Sequence, residues 1–451
     1  MRFVVVFILW FAVSVQADWP QFLGETRDGK SAETGLTTNL SAARILWSHP
    51  RGESYSAPSI RNGRLVHHGR FPFDGAQGRQ GVEKVECLDS VTGQLIWSDE
   101  TPTTYQDRFN YLNGPRASPA IDGDQVYTLG AQGVLSCLSL NDGRLLWRRQ
   151  LNEEFAASED FFGFCSSPLI EGDSLILNVS AVKCVVALDK FSGATRWIAE
   201  DPWGRSYASP IAATLYGRRI LFVFAGGESS PPSGGLLCLD AATGKIYSRF
   251  PWRSPRYASA NASTPVVSGN WVFISSSYDV GGVMLEVQSD FTFKEIYRTK
   301  AYASHWATPI LAGGHLYGFA NNQLTCMEWS TGTRVWREVV KLAGVESKAV
   351  TGSGSGADQY REPPGKAGFG IGSLLYANGR FLCLGENGLL AWLDISPEGF
   401  RIISSVRLFN AEQAWTAPVL SDGLAYICQN LPDSENPSRL ICIDLTKQTG
   451  K

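Results

Sequence analysis

Histidine and methionine are scarce in this chain of 451 residues, which contains five of the first and three of the second. The histidines form neither the H-E-x-x-H pattern nor another spaced pair of metal ligands. His67 and His68 are adjacent, so on a strand their side chains point to opposite faces. The sequence therefore predicts no metal site.

Cysteine is limited to nine residues, an odd number, and no two of them are adjacent or spaced as C-x-x-C. This excludes the usual zinc spacings and argues against a disulfide framework, although a pairing of Cys428 with Cys442 stays open. Several cysteines occupy equivalent inner-strand positions before a repeated hairpin, which is typical of small buried apolar residues. These are Cys87, Cys137, Cys238, Cys326 and Cys442.

Signatures of common catalytic sites are also missing. The sequence has no G-x-S-x-G motif, no phosphate-binding loop and no dinucleotide-binding fingerprint. No pair of carboxylates stands out as an acid and a base. The formal net charge is −3 and the basic residues are scattered, which argues against nucleic acid or an anionic membrane as partner. No catalytic residue is predicted.

Long apolar runs are confined to the start of the chain. Residues 3–15 are apolar and end in a small-x-Ala cleavage pattern at Ala17, and the run is short for a membrane span. We expect residues 1–17 to be a cleaved signal peptide and the mature protein to be periplasmic or secreted, with no membrane span. No cysteine near this site could accept a lipid.

What the sequence does contain is a repeat, seen most clearly at 187–197. A short apolar strand leads to a turn built on Asp and Gly, and a second strand ends in Trp. The Asp and Gly supply hairpin chemistry, and a large amphipathic Trp suits the seam between neighbouring sheets. Copies occupy 87–97, 137–147, 238–247 and 327–336. The predicted blade-docking residues are Trp47, Trp97, Trp147, Trp197 and Trp336.

A second mark, two small or hydroxyl residues followed by Pro, precedes each hairpin. Pro is tolerated where a strand begins, and small neighbours suit a crowded innermost strand. Four-stranded units that repeat every roughly 40 to 60 residues predict a β-propeller. Seven marks and the run 372–374 give eight blades. The marked prolines are Pro58, Pro119, Pro168, Pro210, Pro265, Pro309 and Pro418.

The chain ends predict how the ring closes. The strand at 44–47 carries a Trp but precedes the first mark, whereas the last repeat, 440–445, has no Trp strand after it. We therefore expect the N-terminal strand to complete blade eight and remove exposed edges. Residues 18–43 are expected to form a cap segment in which Trp19 and Phe22 cover one end, and 44–451 the propeller. Loop insertions are expected near 70–80, 100–115, 226–235 and 341–370.

The residue three positions before each marked Pro should lie at the mouth of the central channel, and binding loops gather at the ends of such scaffolds. Arg205 and His305 are close to these positions. The sequence leaves open whether the side chains bind a ligand or only plug the channel. The seven positions hold Tyr55, Arg116, Cys165, Tyr207, Ala262, Trp306 and Trp415. Of these, the predicted binding residues are Tyr55, Arg116, Tyr207, Trp306 and Trp415.

The stretch 187–197 and its copies at 87–97 and 137–147 resemble the tryptophan-docking repeat of pyrroloquinoline-quinone-like eight-bladed propellers. The opening W-P-Q-F-x-G at 19–24, with R-D-G at 27–29, is similar to the start of secreted bacterial members. The resemblance implies an all-β fold and two kinds of function. Quinoprotein dehydrogenases use a quinone, a calcium or lanthanide ion, an Asp base and a disulfide between adjacent cysteines. The outer-membrane assembly propeller is a non-catalytic lipoprotein.

This chain lacks the adjacent cysteines and the lipid-accepting cysteine. We therefore expect a monomeric, exported binding propeller that has no enzymatic activity and no cofactor, with a protein or other cell-envelope macromolecule as partner. One alternative is an alcohol or sugar dehydrogenase that uses pyrroloquinoline quinone and calcium, with Trp306 or Trp415 beneath the quinone. A further alternative is a hydrolase or lyase acting on polysaccharide in the channel.

Overall fold

The computed structural model describes residues 17–73, 80–157, 161–227, 231–257, 259–340 and 369–447. Within these ranges the chain forms eight four-stranded antiparallel sheets, seven of which are built from consecutive strands that are hydrogen-bonded in sequence order. The predicted eight-bladed β-propeller is therefore confirmed. The predicted signal peptide, apart from Ala17, and most of the insertion at 341–370 lie outside the described residues.

Each of the first four blades consists of four consecutive strands, with the innermost strand first. Blade one contains β2 (Ser59–Arg61), β3 (Arg64–Pro72), β4 (Gly81–Asp89) and β5 (Leu95–Thr103), and blade two contains β6 (Ala120–Asp122), β7 (Gln125–Leu129), β8 (Val134–Ser139) and β9 (Leu145–Gln150). Blade three contains β10 (Leu169–Glu171), β11 (Ser174–Asn178), β12 (Val185–Asp189) and β13 (Thr195–Ala199), and blade four contains β14 (Ile211–Leu215), β15 (Arg218–Ala225), β16 (Gly235–Asp240) and β17 (Ile246–Pro251).

The next three blades follow the same order, whereas blade eight takes its outermost strand from the N-terminal side. Blade five contains β18 (Val266–Ser268), β19 (Trp271–Ser276), β20 (Gly281–Val287) and β21 (Phe293–Thr299), and blade six contains β22 (Ile310–Ala312), β23 (His315–Ala320), β24 (Gln323–Glu328) and β25 (Arg334–Glu338). Blade seven contains β26 (Ser373–Ala377), β27 (Arg380–Leu384), β28 (Leu389–Ser396) and β29 (Gly399–Arg407), and blade eight contains β30 (Val419–Ser421), β31 (Leu424–Gln429), β32 (Arg439–Asp444) and β1 (Arg44–Pro50).

Helical structure in the described part of the chain is limited to one 3₁₀ turn, η1 (Leu40–Ala42), and one short helix, α1 (Leu151–Glu154). Neither is long and apolar enough to cross a membrane. The core is formed instead by the sheet faces of neighbouring blades, where clusters of buried apolar side chains pack from one blade to the next.

The hydroxyl residues before the marked prolines join successive blades. An innermost strand begins directly after each Pro, and there the hydroxyl of one blade accepts the backbone N–H of the equivalent residue in the blade before it. Apart from the half-buried Thr308 these residues are buried, so the bonds satisfy donors whose burial would otherwise be costly. We call this series the hydroxyl belt; it runs Ala57 to Ser118 (3.1 Å), Ser118 to Ser167 (2.9 Å), Ser167 to Ser209 (3.0 Å), Ser209 to Thr264 (3.3 Å) and Thr264 to Thr308 (3.2 Å).

The repeat Trp residues lie between blades. Trp97 Nε1 donates to Leu140 O at 2.8 Å, and its ring covers Gly143 in the hairpin turn of the next blade. Gly143 has a φ of 74°, and a Cβ there would lie 2.7 Å from the ring, so glycine is required for both conformation and space. Equivalent indole bonds run from Trp47 to Ser90 O, Trp147 to Lys190 O, Trp197 to Ala241 O and Trp336 to Ser396 O.

Closure by the N-terminal strand, as predicted, is also confirmed. β1 pairs with β32 in antiparallel register, with Arg44 opposite Asp444 and Pro50 opposite Arg439. Blade seven has Ser404, not Trp, opposite Trp392 on its third strand. The Ser404 hydroxyl instead accepts the N–H of Leu40 at 3.2 Å, so the cap segment occupies the seam between blades seven and eight.

The cap segment, residues 18–43, spans the base of the channel, the end at which the innermost strands finish. Trp19 is buried and pairs with Ile60 of blade one, and Lys30 forms a bridge with Tyr376 of blade seven. Arg27 reaches inward from the segment and donates to Pro168 O at 2.9 Å. The opposite end of the channel, the mouth, is therefore where the sequence-predicted binding residues are accessible.

All nine cysteines are free, and the pairing of Cys428 with Cys442 that the sequence left open is wrong. The register of β31 and β32 sets Cys428 opposite Leu440 and Cys442 opposite Tyr426. The repeat cysteines are buried, as expected, and each lies on the third strand of its blade. There they face the fourth strand, as Cys87 faces Trp97.

Candidate functional site

The mouth carries three aromatic side chains in direct contact. The rings of Tyr55 and Trp415 stack with centroids 5.2 Å apart at an angle of 22°. The Trp415 ring also meets that of Trp306, with centroids 4.9 Å apart. All three side chains are half-buried, and they precede the innermost strands of blades one, eight and six, respectively for Tyr55, Trp415 and Trp306. Positions that the repeat predicted to be equivalent are thus in contact here.

Arg116 and Tyr207 are linked to this cluster through a residue that the repeat did not indicate. The Arg116 guanidinium lies 5.3 Å from the ring centroid of Tyr55 and 5.5 Å from that of Phe162. The Phe162 ring in turn meets Tyr207, with centroids 5.2 Å apart. The five predicted binding residues and Phe162 therefore form one continuous surface, which we call the mouth surface.

The other predicted positions contribute less. Cys165 directs its thiol to Phe162 O at 3.1 Å, and Ala262 is half-buried with only a methyl side chain. Arg205 is buried, with its guanidinium 3.9 Å from the ring centroid of Phe164, so it supports the mouth from below.

A buried ion pair fixes one side of the mouth surface. Arg116 Nη2 donates to Asp107 Oδ2 at 2.6 Å, and the Asp107 side chain is fully buried. The other carboxylate oxygen accepts the backbone N–H groups of Phe109 at 2.8 Å and Tyr111 at 3.1 Å. Because one carboxylate holds both the arginine and the loop, the connection between β5 and β6 presents its aromatic rings in a fixed arrangement.

His305 extends the opposite side. Its ring lies 4.7 Å from that of Trp306, and its Nε2 is 2.5 Å from the Tyr278 hydroxyl. Burial raises the pKa of Tyr278 to about 12, and burial likewise raises the pKa of Tyr55 above its ordinary value. Both phenols are therefore neutral near pH 7 and serve as hydrogen-bonding groups, not as charges.

The loops around the mouth contain non-glycine residues with left-handed backbone conformations. Asn110, Tyr278 and Gln413 have φ values of 61°, 60° and 60°. Such conformations persist where the surrounding contacts determine them. Gln413 illustrates this, because its side-chain oxygen accepts the hydroxyl of Tyr55 and its carbonyl accepts the N–H of Trp415 at 2.7 Å. The mouth surface is preorganised.

Several mouth aromatics escaped sequence reasoning because they lie in connections outside the repeat. Phe162 and Phe161 follow β9, and Phe161 contacts both Phe109 and the 71% exposed Tyr257. The available signal was the density of aromatics in the long connections before the marked prolines. Tyr111, in the predicted insertion at 100–115, meets Trp415 with ring centroids 5.3 Å apart.

The mouth residues do not fit a quinone cofactor. One face of Trp415 is covered by Tyr55, and its ring also meets those of Trp306 and Tyr111, so this indole offers no open platform for a planar ring. The Trp306 ring meets those of Trp415 and His305. Glu386 is engaged by Trp415 Nε1 at 3.1 Å, and Asp107 by Arg116. In the described ranges, the one cluster of three or more His, Cys, Asp or Glu donors consists of His49, His67 and Glu86 and includes none of the mouth residues. The arrangement of the mouth residues therefore supports no reaction step through a quinone.

A separate cleft of about 430 Å³ lies between blades four and five, lined by Trp252 and several cationic side chains. Its cations already have partners. Arg298 Nε donates to Glu295 at 2.8 Å, and Lys300 Nζ to Val280 O at 3.1 Å. The mouth surface, with its continuous half-buried aromatics, is the stronger candidate for binding.

Residues 81–338, more than half of the chain, match the family model described as "Outer membrane protein assembly factor BamB". A curated relative with the same name from Yersinia pestis is 28% identical over 170 residues. That match covers 37% of this chain and 36% of the relative, so the chain spans about a third of the length of the curated relatives it matches.

Two solved structures show the same fold. BamB from Moraxella catarrhalis superposes with a TM-score of 0.57 and 14% identity, covering 89% of this chain and 99% of that one. A europium-containing methanol dehydrogenase superposes with a TM-score of 0.64 and 11% identity, covering 95% and 98%. At these identities the likeness shows the fold alone.

Proposed function

The chain belongs to the family described as outer membrane protein assembly factor BamB, and on this premise we propose that it is a non-enzymatic propeller that binds a protein partner during cell-envelope assembly. The observation that supports this proposal most directly is the mouth surface, a preorganised aromatic patch on the end of the channel opposite the cap segment. In keeping with the apolar N-terminal run, we place the protein in the periplasm or outside the cell.

The chemistry of the mouth surface favours a polypeptide partner. Tyr, Trp and Arg are the side chains enriched where protein interfaces concentrate their binding energy. They offer large apolar faces with polar tips, and here they are held in place before binding, which lowers the entropy cost of association. The partner segment we propose is extended and carries apolar or proline side chains that can lie on Tyr55, Trp415 and Trp306.

The first experiment replaces Tyr207, Trp306 and Trp415 with Ala together. Partner capture from a detergent-solubilised envelope fraction, quantified by mass spectrometry, should fall at least about tenfold, since hot-spot aromatics typically contribute more than 2 kcal/mol each. Phe191→Ala is the matched control, because this 56% exposed aromatic lies in a hairpin turn at the base end. Unchanged capture by a folded triple variant would discard the mouth surface as the binding site.

A second experiment on the unmodified protein tests the quinone-dependent alternative, whose fold the methanol dehydrogenase neighbour shares with this chain. Titration with pyrroloquinoline quinone and calcium should produce no saturable quenching of Trp fluorescence and no dye-linked oxidation of alcohols or sugars. Saturable binding with turnover would overturn the proposal. Competition for the mouth surface by oligosaccharides would instead favour the polysaccharide alternative.

A further inference from the structure

Ring closure brings two histidines and a glutamate together at the seam between blade eight and blade one. His67 on β3 and Glu86 on β4 are directly paired residues, so their side chains share one face of blade one. His49 reaches them from β1, the closing strand of blade eight. The Nε2 atoms of His67 and His49 lie 3.1 Å and 3.4 Å from the same oxygen, Glu86 Oε2.

These spacings suit coordination to a small divalent metal. The three donor atoms all lie within 4.8 Å of one another. Zinc bonds to nitrogen and oxygen are about 2.0 to 2.2 Å, so neighbouring ligand atoms in a tetrahedral site are roughly 3.3 Å apart. The two contacts to Glu86 match that spacing, and the rings of His49 and His67 are neighbours, with centroids 5.4 Å apart.

The unmet hydrogen-bonding needs of His67 provide an independent reason for a ligand. The residue is only 3% exposed, and neither of its ring nitrogens has an aligned hydrogen bond within the described part of the chain. Among the described residues, Nε2 has a single polar neighbour, Glu86 Oε2 at 3.1 Å, and Nδ1 has no hydrogen-bond partner. Burial of an imidazole with so few hydrogen bonds is costly, and a cation between His67 and Glu86 would remove part of that cost.

The surroundings indicate which cation fits. Two imidazoles and one carboxylate favour a transition metal over calcium or magnesium, which prefer oxygen ligands. Arg51 adds a positive charge nearby, but its guanidinium is committed to Asn430 Oδ1 and Ser56 O, each at 2.7 Å. The His49 side chain is 21% exposed and gives the site access to solvent.

We propose that His49, His67 and Glu86 bind a divalent transition-metal ion, with zinc as the leading candidate, and that the ion ties the closing strand to blade one. Three protein ligands leave a fourth position for water or a partner side chain. The sequence predicted no metal site because the ligands come from two blades, with His49 and Glu86 37 positions apart in the sequence. The proposal is independent of the mouth surface.

The test uses the full chain, purified without a histidine tag and stripped of metal with a chelator. Calorimetric titration with zinc chloride should give one ion per chain and raise the melting temperature. His49→Gln and Glu86→Gln should each weaken zinc binding at least about tenfold. His315→Gln is the matched control, since His315 is half-buried on β23 and its Nδ1 contacts Gly313 O.

Cobalt(II) supplies a second readout, because its visible absorption reports a tetrahedral site with nitrogen and oxygen ligands. That absorption should appear with the parent chain and the control, and be lost in His49→Gln. His49 is the least buried ligand, so this variant should fold even if replacement of His67 does not. Absence of zinc uptake, or uptake that both ligand variants leave unchanged, would overturn the proposal.

Discussion

At the scale of single residues, Glu83 shows how an ionisable group can be tolerated between blades. The side chain is buried, and its carboxylate accepts the N–H of Ala131 in blade two at 3.0 Å. Burial raises the pKa of Glu83 to about 7, although the hydrogen bond from Ala131 and the charge of Arg70 act in the opposite direction. The folded protein therefore binds this proton more tightly than the unfolded chain does.

Glu83→Gln should make the protein more stable at alkaline pH. The carboxyl titrates near 4.5 in the unfolded chain and near 7 in the fold, so its stabilising contribution is present below pH 4.5 and lost as the pH rises to 7. The difference in unfolding free energy between variant and parent should grow by up to roughly 3 kcal/mol between pH 4.5 and 8. Urea titrations across that range measure it, with Glu338→Gln, at an exposed position, as the control. A difference that does not vary with pH would contradict the assignment.

At the scale of elements, the hairpin turn and the indole of the preceding blade form one unit. In the turn after β4, Asp89 Oδ1 accepts the N–H groups of Val91 and Thr92 at 3.1 Å and 2.8 Å. Gly93 then presents a bare backbone to the ring of Trp47. The turn chemistry that shapes one blade thus also prepares the surface on which its neighbour docks.

Gly143→Ala should separate the two roles of the turn glycine. The added methyl would meet Trp97 at 2.7 Å and would also have to adopt a φ of 74°, so we expect a loss of roughly 2 to 4 kcal/mol. Gly123→Ala in the same blade is the matched control, because Gly123 has a φ of 54° but nothing within 4 Å of the added Cβ. The Gly123→Ala variant should lose only about 1 kcal/mol of unfolding free energy. Denaturant midpoints measure both, and equal losses would rule out the docking role.

The repeat made the blades and the ring of mouth positions predictable, because a fixed period places equivalent residues at equivalent heights. Tyr55 and Trp415 could be assigned to one end of the channel in this way. Phe162 could not, since it lies in a connection whose length belongs to one blade alone. His49 and Glu86 escaped for a different reason: a closure at the level of the whole ring brings them together, and no local pattern records it.

At the scale of the whole molecule, the stability of the ring depends on blade eight, where the two ends of the propeller chain meet. The other blades follow one another directly along the chain, whereas blade eight is assembled from both ends. Leu40 is 1% exposed at the contact between blades seven and eight. It helps to fill the gap beside Ser404, where blade seven lacks a docking indole. The cap segment therefore packs between blades seven and eight and stabilises their contact, in addition to covering the base of the channel.

Leu40→Ala should destabilise the contact between blades seven and eight before it affects the rest of the ring. We expect a loss of about 2 to 4 kcal/mol from the cavity, and faster amide hydrogen exchange in β29 to β32 than in β10 to β13. Leu46→Ala, at a 38% exposed position on β1, should do neither. Uniform acceleration in all eight blades would show that the seam has no separate stability.

The pairing of β1 with β32 also has a consequence in time. Arg44 and its partner Asp444 are 400 residues apart, and the hydroxyl belt joins only blades that lie between them. At translation rates of about 5 to 20 residues per second, roughly 20 to 80 s pass between the synthesis of the two strands. During that interval β1 has no strand paired with its edge, whereas blades one to six can already form the hydroxyl belt.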